Sequence, residues 1–112
     1  MIFKKNAPVY CPVSALFDIM QQDLELGICC DITFFVGKKK HVIGVYGDDG
    51  ETHKHVYFYF DKSYFRTMDA LKKEALLEGI PLVKFWAKVK VTECDGCYPR
   101  SSPILESYYE EV

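Results

Sequence analysis

The chain has 112 residues, 49% hydrophobic and 15% aromatic, with 14 basic against 16 acidic side chains. That length is one domain, residues 1–112, and the apolar content is enough to build a core without a disulfide or metal staple. A net charge of −2 rules out recognising a nucleic-acid binder, or an acidic decoy, from charge alone.

Residues Met1 to Cys11 read as an irregular lead-in. Pro12 suits a first helical turn. Val13, Leu16, Phe17, Met20 and Leu24 then recur at helical spacing until Gly27, which predicts a helix over about Pro12 to Leu26. Ile28 to Val36 is β-branched and aromatic and predicts a strand. Gly37 to Lys40 is a turn, His41 to Tyr46 a second strand, and Gly47-Asp48-Asp49-Gly50 a strong turn signal. Thr52 to Phe60 is a third extended segment. Asp61 is read as the N-cap of a second helix with Tyr64, Met68, Leu71 and Ala75 on one stripe, stopping near Gly79-Ile80-Pro81. Leu82 to Glu93 alternates: Val83, Phe85, Ala87, Val89 and Val91 on one side, Lys84, Trp86, Lys88 and Lys90 on the other. That pattern predicts a half-buried strand with a basic outer face. Cys94 to Arg100 is a loop, and Ser102 caps a last helix whose stripe is Ile104, Leu105, Tyr108, Tyr109 and Val112, with Glu106, Glu110 and Glu111 opposite.

The order α-β-β-β-α-β-α gives an α+β class: a three-stranded antiparallel meander plus a further strand, with helices packed around it. No secretory leader and no apolar run of the ~20 residues needed to cross a bilayer is visible. The five cysteines are odd in number and two, Cys29 and Cys30, are adjacent. The expectation is a soluble intracellular protein, cytoplasmic or nuclear, with free thiols and no membrane contact.

Three stretches in order carry a family likeness. Leu16-Phe17-Asp18-Ile19-Met20 is followed by Gly27 and then by Cys30-Asp31-Ile32-Thr33-Phe34-Phe35-Val36-Gly37. His53-Lys54 and Lys62-Ser63-Tyr64-Phe65-Arg66-Thr67-Met68 come next. Together they resemble the BTB/POZ family of protein-interaction domains over about Val13 to Met68. The chain departs from that pattern in three ways. The segment from Asp31 to His53 is long, Val56-Tyr57-Phe58-Tyr59-Phe60 favours a strand where the family has a helix, and the given sequence ends where the family normally continues into further helices. The resemblance implies a homodimer made through the first helix and first strand. Val13, Leu16, Phe17 and Met20 would face the partner, and Asp31 and Lys54 would form a buried charged pair at the dimer groove. The ligase-recruiting members' apolar-x-Glu signature is matched in type by Leu76-Leu77-Glu78, but too late in the chain.

Read for chemistry, the sequence offers less. Cys94-Asp95-Gly96-Cys97 has the spacing of one zinc knuckle, half of a structural site. If the last strand runs parallel to the first, Cys94 lies near His41 and far from Cys29 and His53, so no metal or other cofactor is expected. His53 and His55 share a strand face and read as surface histidines. No nucleophile, base and orienting group assemble by spacing, and no phosphate-cradling glycine loop is present. The expectation is a non-enzymatic domain that self-associates and recruits a protein partner. The alternatives are a nucleic-acid-binding module using Tyr57, Tyr59, Lys84, Trp86, Lys88 and Lys90 as a basic, aromatic sheet face, or a small inhibitor protein of a mobile element.

Overall fold

A computed structural model describes residues 8–47, 56–96, 99, 102–106 and 108 of the chain. Strand β1, Val9–Cys11, comes first, in the stretch read as irregular. Helix α1, Val13–Glu25, follows directly on Pro12. It ends in a glycine stop: Gly27 takes φ 73°, and the Ile28 N–H donates to the Asp23 carbonyl at 2.9 Å, closing the last turn. Strands β2, Cys30–Val36, and β3, Lys39–Gly47, form a hairpin around Gly37 and Lys38, a turn two residues shorter than the predicted Gly37 to Lys40.

Strand β4, Val56–Phe60, pairs with β3, and Asp61-Lys62 turns the chain into a short strand β5, Ser63–Phe65. The predicted second helix therefore begins later than expected. Helix α2 is Met68–Glu74, capped by Thr67, whose hydroxyl accepts from the Ala70 N–H at 3.0 Å. Tyr64 belongs to a strand, because Asp61 spends its carboxylate on β3 and not on a helix start. Its Oδ1 accepts from the Val42 N–H at 2.9 Å, and its Oδ2 lies 2.8 Å from His41 Nδ1.

A two-stranded hairpin, β6 (Leu76–Leu77) with β7 (Ile80–Pro81), and a 3-10 turn, Leu82–Lys84, come next. Strand β8 is Val89–Cys94, and helix α3 is Pro103–Glu106. The alternation from Leu82 to Lys88 is thus not a strand. Phe85 N–H closes the 3-10 turn on the Leu82 carbonyl, Leu82 is buried, Val83 is exposed, and Trp86 stands in the loop before β8 at 84% exposure.

The larger sheet has the order β1-β8-β2-β3-β4-β5, and its paired strands are all antiparallel. The α+β class and the β2-β3-β4 meander agree with the sequence. The direction of β8 does not: it runs antiparallel to β2, with Ile32 opposite Cys94 and Phe35 opposite Lys90. The extra strand β5 reverses the chain once more before α2, so the connection through α2, the β6-β7 hairpin and the 3-10 turn leaves from the opposite end of the sheet and β8 enters antiparallel to β2.

One face of the sheet builds the core. Val9, Cys11, Val89, Val91, Cys30, Ile32, Phe34, Ile43, Val45, Phe58 and Phe60 all point there, and they join Leu16, Met20, Leu71, Leu82 and Leu105 in one cluster. Burying each large side chain contributes roughly 1.5–3 kcal/mol. His41 is buried on this face too, its ring stacked against both Phe34 and Phe60, which also stack on each other. The helices cover this face only, and among the described residues no helix lies over the other one. No described helix is long and apolar enough to cross a membrane.

Candidate functional site

Period-two alternation decides what the uncovered face carries. Wherever a core residue points inward, its neighbours point out. The register sets these outward residues in rows across the strands. Tyr10 lies opposite Lys90, Lys90 opposite Phe35, and Phe35 opposite Lys40. The next row holds Glu93, Thr33 and Val42. Beyond it lie Asp31, Gly44, Tyr59 and Tyr64, and then Tyr46 opposite Tyr57. Four of these tyrosines are open to solvent: Tyr10 at 51%, Tyr46 at 56%, Tyr57 at 44% and Tyr64 at 72%. The face is therefore tyrosine-rich and of mixed charge, with Lys40 and Lys90 in its first row, Glu93 in the second, Asp31 in the third and Tyr46 and Tyr57 in the last.

One contact organises the Asp31 row. The Tyr59 hydroxyl donates to the Asp31 carboxylate and also reaches the Cys30 carbonyl at 3.4 Å. The ring crosses β3 at Gly44, where a Cβ would meet the Tyr59 Cζ at 2.7 Å and collide with the Cys30 carbonyl. Glycine is required there for space, and the phenol fills the place of the absent side chain. Burial, followed by the hydrogen bond to Asp31, pushes the Tyr59 phenol above its ordinary value.

Behind this row, on the core side, α1 brings Asp23 against the start of β2 and the end of β8. Asp23, Cys30 and Asp95 place their ligand atoms within 4.8 Å of one another. Asp95 is fixed by its own turn. It sits at φ 54° before Gly96 at φ 75°, its N–H donates to the Asp31 carbonyl at 2.7 Å, and its Oδ1 accepts from the Asp31 N–H at 2.8 Å. Burial and then the neighbouring Asp95 raise the Asp23 carboxyl to about 6, against the opposing hydrogen bond from Cys30. Burial is also the main cause of the upward shift of the Cys30 thiol, with Asp95 and Asp23 adding to it.

The residues singled out in the sequence fall in several places. Val13, Leu16, Phe17 and Met20 are buried in the chain's own core, where they pack under the sheet. That stripe offers no surface to a second subunit, which corrects its reading as a partner-facing stripe: the chain's own core takes up all four side chains. Asp31 is on the open face, bonded to Tyr59. Lys54 lies outside the described residues, as do His53, His55, Tyr109 and Cys97.

Of the basic, aromatic platform, Tyr57, Tyr59 and Lys90 do share the open face. Lys84 is on the 3-10 turn, while Trp86 and Lys88 are in the loop before β8, because the strand predicted to hold them starts only at Val89. Cys94 was expected near His41. The antiparallel β8 puts it beside Cys30 instead, close enough to push that thiol up.

Tyr10, Tyr46, Tyr64, Asp23 and Asp95 were not anticipated as site residues. Alternation within His41 to Tyr46 was available as a signal for Tyr46. Nothing local marks Asp23, which looks like one more polar position on a helix. A further depression, lined by Leu24, Glu25, Val56 and Phe58, is open and apolar and assembles no set of reacting groups. Comparison with family models, with curated proteins and with solved structures finds no match to this chain.

Proposed function

We propose that the protein is a non-enzymatic interaction domain whose contact surface is the uncovered face of its sheet and whose first partner is a second copy of itself. The observation that carries this is the run of tyrosines left open on a face that no described helix covers. Large, rigid aromatic rings with a polar tip are the side chains enriched at interface cores and among energetic hot spots. An antiparallel sheet can leave one face to water, but that face is then ordinarily polar, and several large open tyrosines on it are what mark a contact surface.

The face mixes both signs of charge: Lys40 and Lys90 share its first row, Glu93 sits in the second and Asp31 in the third. Two copies packed face to face can therefore set lysines of one against carboxylates of the other. The same pattern disfavours single-stranded nucleic acid, since the carboxylates repel phosphate and Lys84 and Lys88 are not on the strands. The reading does not lean on the BTB/POZ resemblance, whose dimer stripe is occupied by the core.

Sedimentation and light scattering across a wide concentration range test it. The expected result is a dimer that a Tyr46→Glu/Tyr57→Glu variant turns into a folded monomer. A parent chain that stays monomeric at high concentration, or a variant that dimerises like the parent, refutes it. An increase in tyrosine quenching with oligonucleotide in place of dimerisation favours the nucleic-acid reading.

A further inference from the structure

We propose that Asp23, Cys30 and Asp95 form a zinc site at the end of the sheet where β8 meets β2, with the fourth position taken by water. This stands apart from the interaction surface, since two of the three ligands point to the core side.

Geometry comes first. Three potential donors, two carboxylates and a thiol, come from α1, β2 and the turn after β8, and their ligand atoms are within 4.8 Å of each other. Tetrahedral zinc with bonds of ~2.0–2.3 Å needs its ligands roughly 3.5 Å apart, so small side-chain rotations close the site. Asp95 is already held by Asp31 on both its backbone and its carboxylate. It is also exposed, which leaves an entry path for the ion.

A second observation points to an occupant. Asp23 is only 7% exposed, and its Oδ2 is buried with no hydrogen-bond partner. An orphaned carboxylate oxygen inside a protein is costly and calls for a cation or a donor. A divalent metal satisfies the oxygen and both neighbours together.

The donor set chooses the metal. Magnesium and calcium take oxygen ligands and do not favour a thiolate, whereas zinc accepts sulfur and carboxylate oxygen together. On binding, the Cys30 sulfur gives its proton to solvent and coordinates as thiolate. No electron is transferred.

The test uses the full chain, stripped with a chelator and titrated with zinc, and with cobalt as a spectroscopic stand-in. One metal per chain is expected, with a sulfur-to-cobalt charge-transfer band and a rise in melting temperature with added zinc. Asp23→Asn keeps shape and size. Its zinc affinity should fall by at least the ~10–100-fold that loss of an outer-shell partner costs. Cys30→Ser should abolish the band, and Cys97→Ser should keep it. Absence of any bound metal in the folded parent overturns the proposal, and so does a band that survives in Asp23→Asn but disappears in Cys97→Ser.

Discussion

At the scale of single residues, the cysteines separate by environment. Cys11 is fully buried between β1 and the helices, and burial pushes its thiol up to about 12, only partly offset by Lys88. Cys29 is exposed, with its sulfur 3.7 Å from the Gly47 carbonyl. Alkylation of the native protein at neutral pH should therefore modify Cys29 and spare Cys11, as read by peptide mass after quenching. The raised thiol also carries a pH dependence. The folded form holds the Cys11 proton more tightly than the unfolded form does. Its stabilising contribution is therefore complete below the ordinary thiol value of about 8.5 and is lost as pH climbs from there towards about 12. Denaturant unfolding between those limits should show stability falling, with a shallower slope in Cys11→Ala, which removes the titrating group. Equal slopes in parent and variant would refute the assignment.

Elements divide into those whose pattern is self-sufficient and those that depend on distant partners. Helix α1 is of the first kind, and its buried stripe makes a sharp forecast. Leu16→Asp sets a carboxylate in the core and should cost several kcal/mol, a large share of the ~5–15 kcal/mol that holds a domain folded. Asp18→Ala, on the exposed side, should change stability by no more than about 0.5 kcal/mol. Thermal melts of the two variants distinguish a core helix from an interface helix, where Leu16→Asp would dissociate subunits and leave each fold intact. The β2-β3 hairpin was equally legible, because period-two alternation and Gly37 agree. The segment Leu82 to Lys88 misled for a physical reason. Alternating apolar and basic residues also suit a 3-10 turn and loop when Pro81 and the Leu82 to Ala75 hydrogen bond interrupt extension. Strand β5 was hidden by Asp61, equally at home capping a helix or, at φ 52°, turning a hairpin. For the same reason the acidic cluster was out of reach: Asp23 and Asp95 meet only because β8 runs antiparallel to β2, which no local pattern encodes.

The open face of the whole molecule carries both signs of charge, so self-association that sets lysines against carboxylates has an electrostatic signature. Association should be fastest at low salt and slow as ions screen those pairs. A Lys40→Glu/Lys90→Glu variant should dimerise poorly with itself, and so should Glu93→Lys. A mixture of the two should recover a heterodimer, detectable by native mass spectrometry. Failure of the mixture to pair, with both variants folded, would remove the face-to-face arrangement.

The pairing of β1 with β8, Val9 against Val91, joins strands from nearly opposite ends of the sequence, and β8 is also the only described partner of β2 on that side. A chain emerging from the ribosome therefore holds two ready strand edges with nothing to bind until β8 is synthesised. Loop closure over such a span is slow, and unsatisfied edges attract other chains. Refolding yield should consequently depend on concentration far more strongly than the short hairpins alone would suggest, and chaperone demand should be greatest before translation passes Cys94.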